Sequence, residues 1–567
     1  MTGISPEKAK GLCERYAKLK GDRAPWDTAW QEIADYMMPR KAGIMSAEYT
    51  PNSSKESRLF DTTAADGLQT MASGLMSWRV STQHPWFSFG PDLQQRGSDK
   101  VKNWLQDCTD LAREYLAKSN FYTETHEDYL NHIAFGTSCL FLEGDEPKYG
   151  GVNFRSIATG TYCIEEDSRG RANGFWREFI LTAQQAVEMF GKEHVGEKIA
   201  KAAAGDGAKP VDKFTFLHHV CRRPDESRSA QKLDSLNKPW MSCYIEMGEK
   251  KLVREAGYDD FPFAVGRYLR WEGMGEPTPY GYSPGFAALP DQRQLNFLQC
   301  MMDVLAEKEA FPPIIAPEEM EGEIYMSARG INYVNSSLDK DKYPRRLIEP
   351  GRYDIGKDRV EMRRQVLETK FHVDLFRMFA QLDKQMTARE VAERAGEKLD
   401  LFSPAATRLE QEKDTPILLR CFKLWMSAGM LPPPPDEAII PASEFIGFIP
   451  DPKIEFTSRL ALAVKARHLA GFERQLERTL VIAQSRPEVL DNYNWDRIER
   501  DTARTHGLPS EWLADEEAVA ASRQARAKMA EQERQMMMAQ GGADAASKLG
   551  RVPKDSAVGK MIEAQAA

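Results

Sequence analysis

Two long helical patterns on either side of a charged excursion constrain the fold of this chain more than any other feature. The first occupies 281–311, where Pro284 suits the first turn of a helix and two consecutive prolines follow the last turn. The second occupies 359–380 and stops at a short polar loop, 381–386. The sequence predicts two paired helices joined by 312–358, a pattern also typical of a plain α-helical hairpin with a decorated turn.

Residues before this pair change from helical to strand-like spacing. Helical spacing dominates the first 136 residues, interrupted by a polar loop at 41–58 and by WFSF at 86–89, which alternates like a strand. From 139 to 272 the apolar period becomes two, except near 183–204, where short helices are expected. The chain is therefore predicted to be α+β and predominantly helical, with a mostly antiparallel β-rich block.

The residues after the pair are predicted to be helical again. Helices are expected from Thr387 to about 430, with Pro416 kinking or breaking them. The four prolines at 432–435 predict a stiff linker, and 454–484 reads as another strong helix. The stretch 513–567 predicts a polar helix to about 540, followed by disorder.

Composition narrows the class of protein. The chain has 567 residues, enough for several domains, and a net charge of −9, which disfavours a surface that grips DNA nonspecifically. No apolar run reaches the roughly 20 residues of a membrane-spanning helix, and the N-terminus lacks the apolar core of a signal peptide. The eight cysteines form no CxxC pair, which favours free thiols in the core over zinc sites or disulfides.

Motifs for catalysis and for metal or cofactor binding are missing from the sequence. No GxxxxGK[ST] phosphate loop occurs, and Gly559–Lys560 lacks both the upstream glycine and the following hydroxyl. His218 and His219 are adjacent in a strand pattern, so their rings should point to opposite faces rather than share a metal. We therefore predict no catalytic residues, no metal site and no cofactor.

Four motifs, in order along the chain, resemble one protein family. GYSPGFAALPD at 281–291 is similar to the Gly-x-Ser-Pro-Gly…Ala-Leu-Pro-Asp pattern at the start of the first stem helix in the portal, or head-to-tail connecting, proteins of short-tailed phages. MTAREV at 386–391 and RLEQEKDTPILLRCF at 408–422 resemble two later family segments, and RLFDTTAADGLQTMASG at 58–74 an earlier one. The resemblance covers roughly 5–500, although the loop before Met386 lacks the proline expected there.

The resemblance implies a ring of about twelve subunits around a DNA channel. It implies a wing at 1–280, stem helices at 281–311 and 359–380, and a clip at 312–358. It also implies a tunnel loop at 381–386, and inner-wing and crown helices at 387–512. The implied partners are double-stranded DNA passing through the channel, terminase, tail or adaptor proteins, scaffold and the major capsid protein. The implied location is the portal vertex of the virion, with the host cytoplasm during assembly.

The resemblance also points to candidate site residues. Polar or basic residues of the tunnel loop and the second stem helix are the DNA-channel candidates: Lys384, Gln385, Gln381, Arg377 and Lys370. Aromatic and basic residues of the clip are the partner-docking candidates: Tyr325, Tyr333, Tyr343, Arg345 and Arg346. The basic residues of the second stem helix could instead pair with acids of neighbouring subunits, and the clip could be a mere surface excursion.

Two other functions compete with this interpretation. One is a structural virion protein or tail adaptor without a DNA channel, which the two stem helices and the clip-sized insertion argue against. The other is a packaging ATPase, which the missing phosphate loop argues against.

Overall fold

A computed structural model shows a chain of mixed helix and strand in which helix predominates. The structure describes residues 6–45, 59–92, 98–205, 209–229, 232, 234–271, 278–311, 314–315, 345–346, 353–381, 404–443, 446–457, 475–505 and 516–549. Two compact units are present, Met1–Phe472 and Glu473–Ala567. None of the described helices is long and apolar enough to cross a membrane.

In the described part of the chain, nine α-helices lie before residue 382. They are α1 (Pro6–Met37), α2 (Thr63–Arg79), α3 (Asp99–Lys118), α4 (Phe121–Phe135), α5 (Ala183–Phe190), α6 (Glu197–Ala204), α7 (Pro284–Ala310), α8 (Tyr353–Lys370) and α9 (Val373–Gln381). The later helices include α10 (Thr415–Ser427), α11 (Trp495–Thr505) and α12 (Glu516–Leu549).

The strands form small antiparallel sheets. Their bounds are β1 (Phe87–Gly90), β2 (Thr137–Gly144), β3 (Val152–Ser156), β4 (Tyr162–Glu166), β5 (Ala172–Thr182), β6 (Lys213–Arg222), β7 (Trp240–Glu246), β8 (Lys251–Tyr258), β9 (Phe263–Arg267), β10 (Leu269–Arg270), β11 (Gly281–Tyr282), β12 (Ile314–Ile315), β13 (Arg345–Arg346), β14 (Ile440–Ser443), β15 (Ile446–Phe448) and β16 (Lys453–Phe456). A five-stranded sheet has the order β4-β5-β6-β7-β8, and a three-stranded sheet the order β3-β2-β9. The predicted β-rich block is confirmed.

The two adjacent histidines of β6 lie on opposite faces of the five-stranded sheet, as the strand period predicts. His218 stacks on Tyr244, with ring centroids 4.0 Å apart, and His219 stacks on Trp176 at 3.5 Å. Burial lowers the pKa of His219 to about 3, so this ring stays neutral. No cluster of potential metal ligands occurs among the described residues.

The main core joins the first four helices to the three-stranded sheet and to α10. Its fully buried side chains include Trp30 of α1, Phe135 of α4 and Trp425 of α10. All eight cysteines are free, and six of them are buried, so the expected free core thiols are confirmed. This core fixes the surface from which α7 begins.

Two predicted helices differ in their bounds. The second stem helix begins at Tyr353 rather than at Arg359, and it is interrupted at His372, whose φ of 51° ends α8 before α9 starts. The helix predicted at 454–484 is wrong at its start, because β16 pairs in antiparallel register with β1. Ile454 and Phe456 alternate along β16, and the pairing of this strand with β1 outweighs the local helical pattern in which they also lie.

Pro416 and the glycine pair near the C-terminus also act differently from expectation. Residues 404–427 form one continuous helix, and the turn Glu410–Asp414, just before Pro416, is π-helical. This wider turn accommodates the proline without a break. The helix α12 runs through Gly541–Gly542 to Leu549, so the expected end near 540 is wrong. Alanines on both sides of the glycine pair favour helix.

Candidate assembly helices and DNA-channel residues

The start of α7 is fixed tightly to the end of α4. Ser283 caps the helix: its side chain accepts a hydrogen bond from the Phe286 amide and donates one to the Ala134 carbonyl at 2.8 Å. A Cβ on Gly285 would lie 2.1 Å from the same carbonyl oxygen, so only glycine fits there. The motif around 281–285 therefore anchors the start of α7 to the end of α4.

α7 and α8 pack antiparallel, and Asp291 is the charged centre of their contact. Its carboxylate pairs with Arg363 and with Lys370, and Lys370 also donates to the Ala287 carbonyl at 2.7 Å. Burial alone would raise the pKa of Asp291, but the hydrogen bonds and charges of Lys370 and Arg363 lower it below the usual value. Further along, Met302 lies against Gly356, where a Cβ would not fit.

A second aspartate connects α8 to the start of α2. Asp61, whose side chain is almost fully buried, accepts two hydrogen bonds from Arg364, at 2.8 and 3.0 Å. The carbonyl of Asp61 accepts a further bond from Gln292 of α7 at 2.7 Å. Three helices therefore meet at this residue, and the position of the helix pair relative to the wing is well determined.

Each helix of the pair also carries an exposed apolar face. On α7, Phe297 is 60% exposed and Val304 is 37% exposed. Phe297 follows buried Leu295 by two positions and Val304 follows buried Met302 by two, so each exposed side chain is about 200° around the helix from a core-facing one. On α8, Met362 is 66% exposed and stands in the same relation to buried Val360. Each helix of the pair therefore presents an apolar face that no described residue covers.

A buried charged cluster holds the π-helical turn against α2 and α4. Arg79 of α2 donates to Asp414 at 2.6 and 2.9 Å, and both side chains are at most 6% exposed. Lys413 pairs with Asp128 of α4 and donates to Ser138 at 3.0 Å. Burial lowers the pKa of Lys413. Because both ion pairs are buried and hydrogen-bonded, this turn is a fixed connection between the later helices and the wing.

The predicted DNA-channel residues are only partly described. Lys370 is engaged by Asp291 and Ala287 within the chain, as above. Arg377 is 58% exposed at its side chain and pairs with Glu368 at 3.0 Å. Gln381 is the last residue of α9. Lys384 and Gln385 lie outside the described residues, so the channel role of all five stays a prediction.

The predicted clip residues are also only partly described. Arg345 and Arg346 form a two-residue strand that pairs antiparallel with Ile314–Ile315. Tyr325, Tyr333 and Tyr343 lie outside the described residues. This short strand pair begins and ends the excursion between the two stem helices, and the docking role stays a prediction.

Sequence reasoning missed the acidic partners of the stem. Asp291 and Asp61 both occur in the quoted motifs, as the last residue of GYSPGFAALPD and within RLFDTTAAD. Their place in the motifs could have suggested that these two aspartates have a structural role. Their partners on α8 could not have been predicted, because a pair separated by more than 70 residues leaves no periodic signal in the sequence.

Comparison with known proteins places the chain in a family. Residues 9–513 match the family described as bacteriophage head to tail connecting protein. The chain is 32% identical over 556 residues to a probable portal protein of Bordetella phage BPP-1, covering 96% of this chain and 95% of the relative. It is 27% identical over 544 residues to the portal protein of Salmonella phage epsilon15, covering 95% and 94%. The portal protein of Escherichia phage T7 is 24% identical over 38% of this chain. The chain therefore belongs to the family of bacteriophage head-to-tail connecting, or portal, proteins.

Proposed function

We propose that this chain assembles into a closed ring of about twelve subunits that forms the DNA channel at one vertex of a phage capsid. The observation that carries the proposal is the uncovered apolar face on each of the two paired helices, around Phe297 of α7 and Met362 of α8. A cyclic ring needs two different complementary faces on every subunit, because each copy contacts the next head to tail. The two faces of this helix pair supply that arrangement.

The stem helices suit an interface that repeats around a ring. Asp291 pairs with Arg363 and Lys370, and Asp61 pairs with Arg364, so each of these cations has a carboxylate partner within the subunit. Among exposed polar residues, the outward faces also carry the apolar side chains Phe297, Met301 and Val304 of α7 and Met362 and Val366 of α8. Their burial is favourable at roughly 25 cal/mol per Å².

DNA must slide through such a channel, and few fixed cations should face it. Each phosphate that a protein neutralises adds sequence-independent, salt-dependent affinity, which would slow movement. The net charge of −9 agrees with a weakly binding channel. We propose that the loop 381–386, with Lys384 as its one cation, lines the narrowest part, and that Gln381, Gln385 and Arg377 contribute nearby.

The excursion 312–358 would form the clip, and 1–280 the wing. We propose that the clip binds terminase during packaging and tail or adaptor proteins afterwards, through Tyr325, Tyr333, Tyr343, Arg345 and Arg346. Scaffold and the major capsid protein would contact the ring during assembly in the host cytoplasm. The chain would supply the channel and no ATP hydrolysis, in agreement with the missing phosphate loop.

The test is a packaging assay on particles assembled with loop variants. Lys384→Ala should leave ring assembly intact and reduce packaging yield or DNA retention modestly, because one exposed contact contributes about 1 kcal/mol or less. Deleting 382–385 should do more, because the channel would widen and packaged DNA could slip back. Encapsidated DNA of full length and normal yield from a deletion variant that forms rings would show that the loop is only a connector.

A further inference from the structure

One arginine of the wing differs from the other buried arginines of the described chain. Arg177 of β5 is only 5% exposed, yet it forms no hydrogen bond or ion pair with any described residue, and its Nε is buried without a partner. The other buried arginines are all engaged by carboxylates or carbonyl oxygens: Arg23, Arg79, Arg223, Arg267 and Arg420. A guanidinium cannot lose its proton in a protein, so Arg177 is a fixed and unneutralised charge.

The guanidinium is held in place by aromatic rings. Its Cζ lies 4.4 Å from the ring centre of Phe141 and 5.0 Å from that of Phe179. These contacts attract the cation and fix its plane, but they provide no acceptor for its N–H groups. A preorganised planar fork with free donors matches an oxyanion, which can accept two parallel hydrogen bonds.

Positively charged residues also outnumber negatively charged ones around Arg177. In the register of the sheet, Arg177 is opposite His218, which is opposite Tyr244, which is opposite Arg254. Arg254 is therefore on the same face three strands away, about 14 Å along the sheet. Arg155 of β3 and the carboxylate of Glu143 both act electrostatically on Arg177. Arg155 and Arg254 are exposed and form no ion pair among the described residues.

We propose that Arg177 is the centre of an oxyanion-binding site on the five-stranded sheet, with Arg155 nearby, that takes a phosphate or carboxylate group. The bound group would supply the hydrogen-bond acceptors and the negative charge that the described chain does not. This site lies on the five-stranded sheet, outside α7 and α8, and its argument does not depend on the proposed channel.

The experiment is thermal unfolding of the full chain in chloride, acetate and phosphate at matched ionic strength. A ligand that binds only the folded state raises the Tm in a saturable way. We expect a rise of about 2 °C or more in phosphate, and in acetate too if carboxylates are accepted. Arg177→Met should lose the part of the Tm rise that is due to anion binding. The general salting effect of phosphate acts equally on the variant and the native chain, so comparing the two chains separates it from specific binding.

A matched control is Arg223→Met, the residue directly after β6, whose guanidinium pairs with Glu255 of β8 at 3.1 Å. That variant should be destabilised but should keep the anion response. If Arg177→Met fails to fold, Arg177→Lys replaces it: the charge remains but the planar fork is lost, so the response should weaken. An equal Tm of the native chain in all three salts, or an unchanged response of the Arg177 variants, would overturn the proposal.

Discussion

Phe297→Ser tests the subunit interface most sharply. The side chain is 60% exposed in the isolated subunit. A phenylalanine buries roughly 200 Å² when fully covered, so a neighbour would bury about 120 Å² more. At about 25 cal/mol per Å² that is about 3 kcal/mol per contact, or an affinity about 100-fold weaker for the variant. Folding of the subunit should change little, because the side chain contributes mainly outside the core.

The assay is mass photometry of the ring fraction over a range of protein concentrations. The concentration at which rings appear should rise strongly for Phe297→Ser. Ile180→Ser is the matched control, because Ile180 is similarly exposed, at 54%, but lies on β5 of the wing, far along the chain from the stem. Equal assembly of Phe297→Ser and the native chain would refute the assignment of this face to the interface.

Three further predictions concern the stability of the folded subunit, each followed by urea denaturation. Burial lowers the pKa of His219 to about 3, whereas the unfolded residue binds a proton below about 6.5, so stability should fall as the pH drops below 6.5. His132 and His218 are also buried with lowered pKa values and should add to this loss, so His219→Phe should reduce the slope by about 1.4 kcal/mol per pH unit without removing it. Lys413→Met should cost about 3–5 kcal/mol because it leaves Asp128 charged and buried, and the double variant with Asp128→Leu should recover most of it; additive losses would contradict this. Gly285→Ala should cost about 1–3 kcal/mol through its clash with the end of α4, whereas Gly11→Ala, which meets no atom within 4 Å, should be neutral or stabilising.

Much of the helical framework was predictable because its signals are local. Pro284 and the prolines after residue 311 bound α7, and Pro39 follows the end of α1. The alternation from 139 onward correctly indicated the antiparallel strands, and with them the opposite faces of His218 and His219. These features depend on residues within one or two turns of each other.

The differences arose where tertiary contacts decide the structure. β16 forms because β1 offers it an edge, and nothing near residue 454 in the sequence reveals that partner. The interruption at His372 lets Phe371 and Phe376 pack against the small residues Gly67 and Gly74 of α2. The acidic partners of the stem, Asp291 and Asp61, depend on the same long-range packing.

The ring is the central claim, and negative-stain electron microscopy of the purified chain tests it most directly. Class averages are expected to show closed rings of about twelve subunits with a central hole wide enough for double-stranded DNA. Particles that remain single subunits at micromolar concentration over a range of salt, or that form assemblies without a hole, would contradict the proposed function.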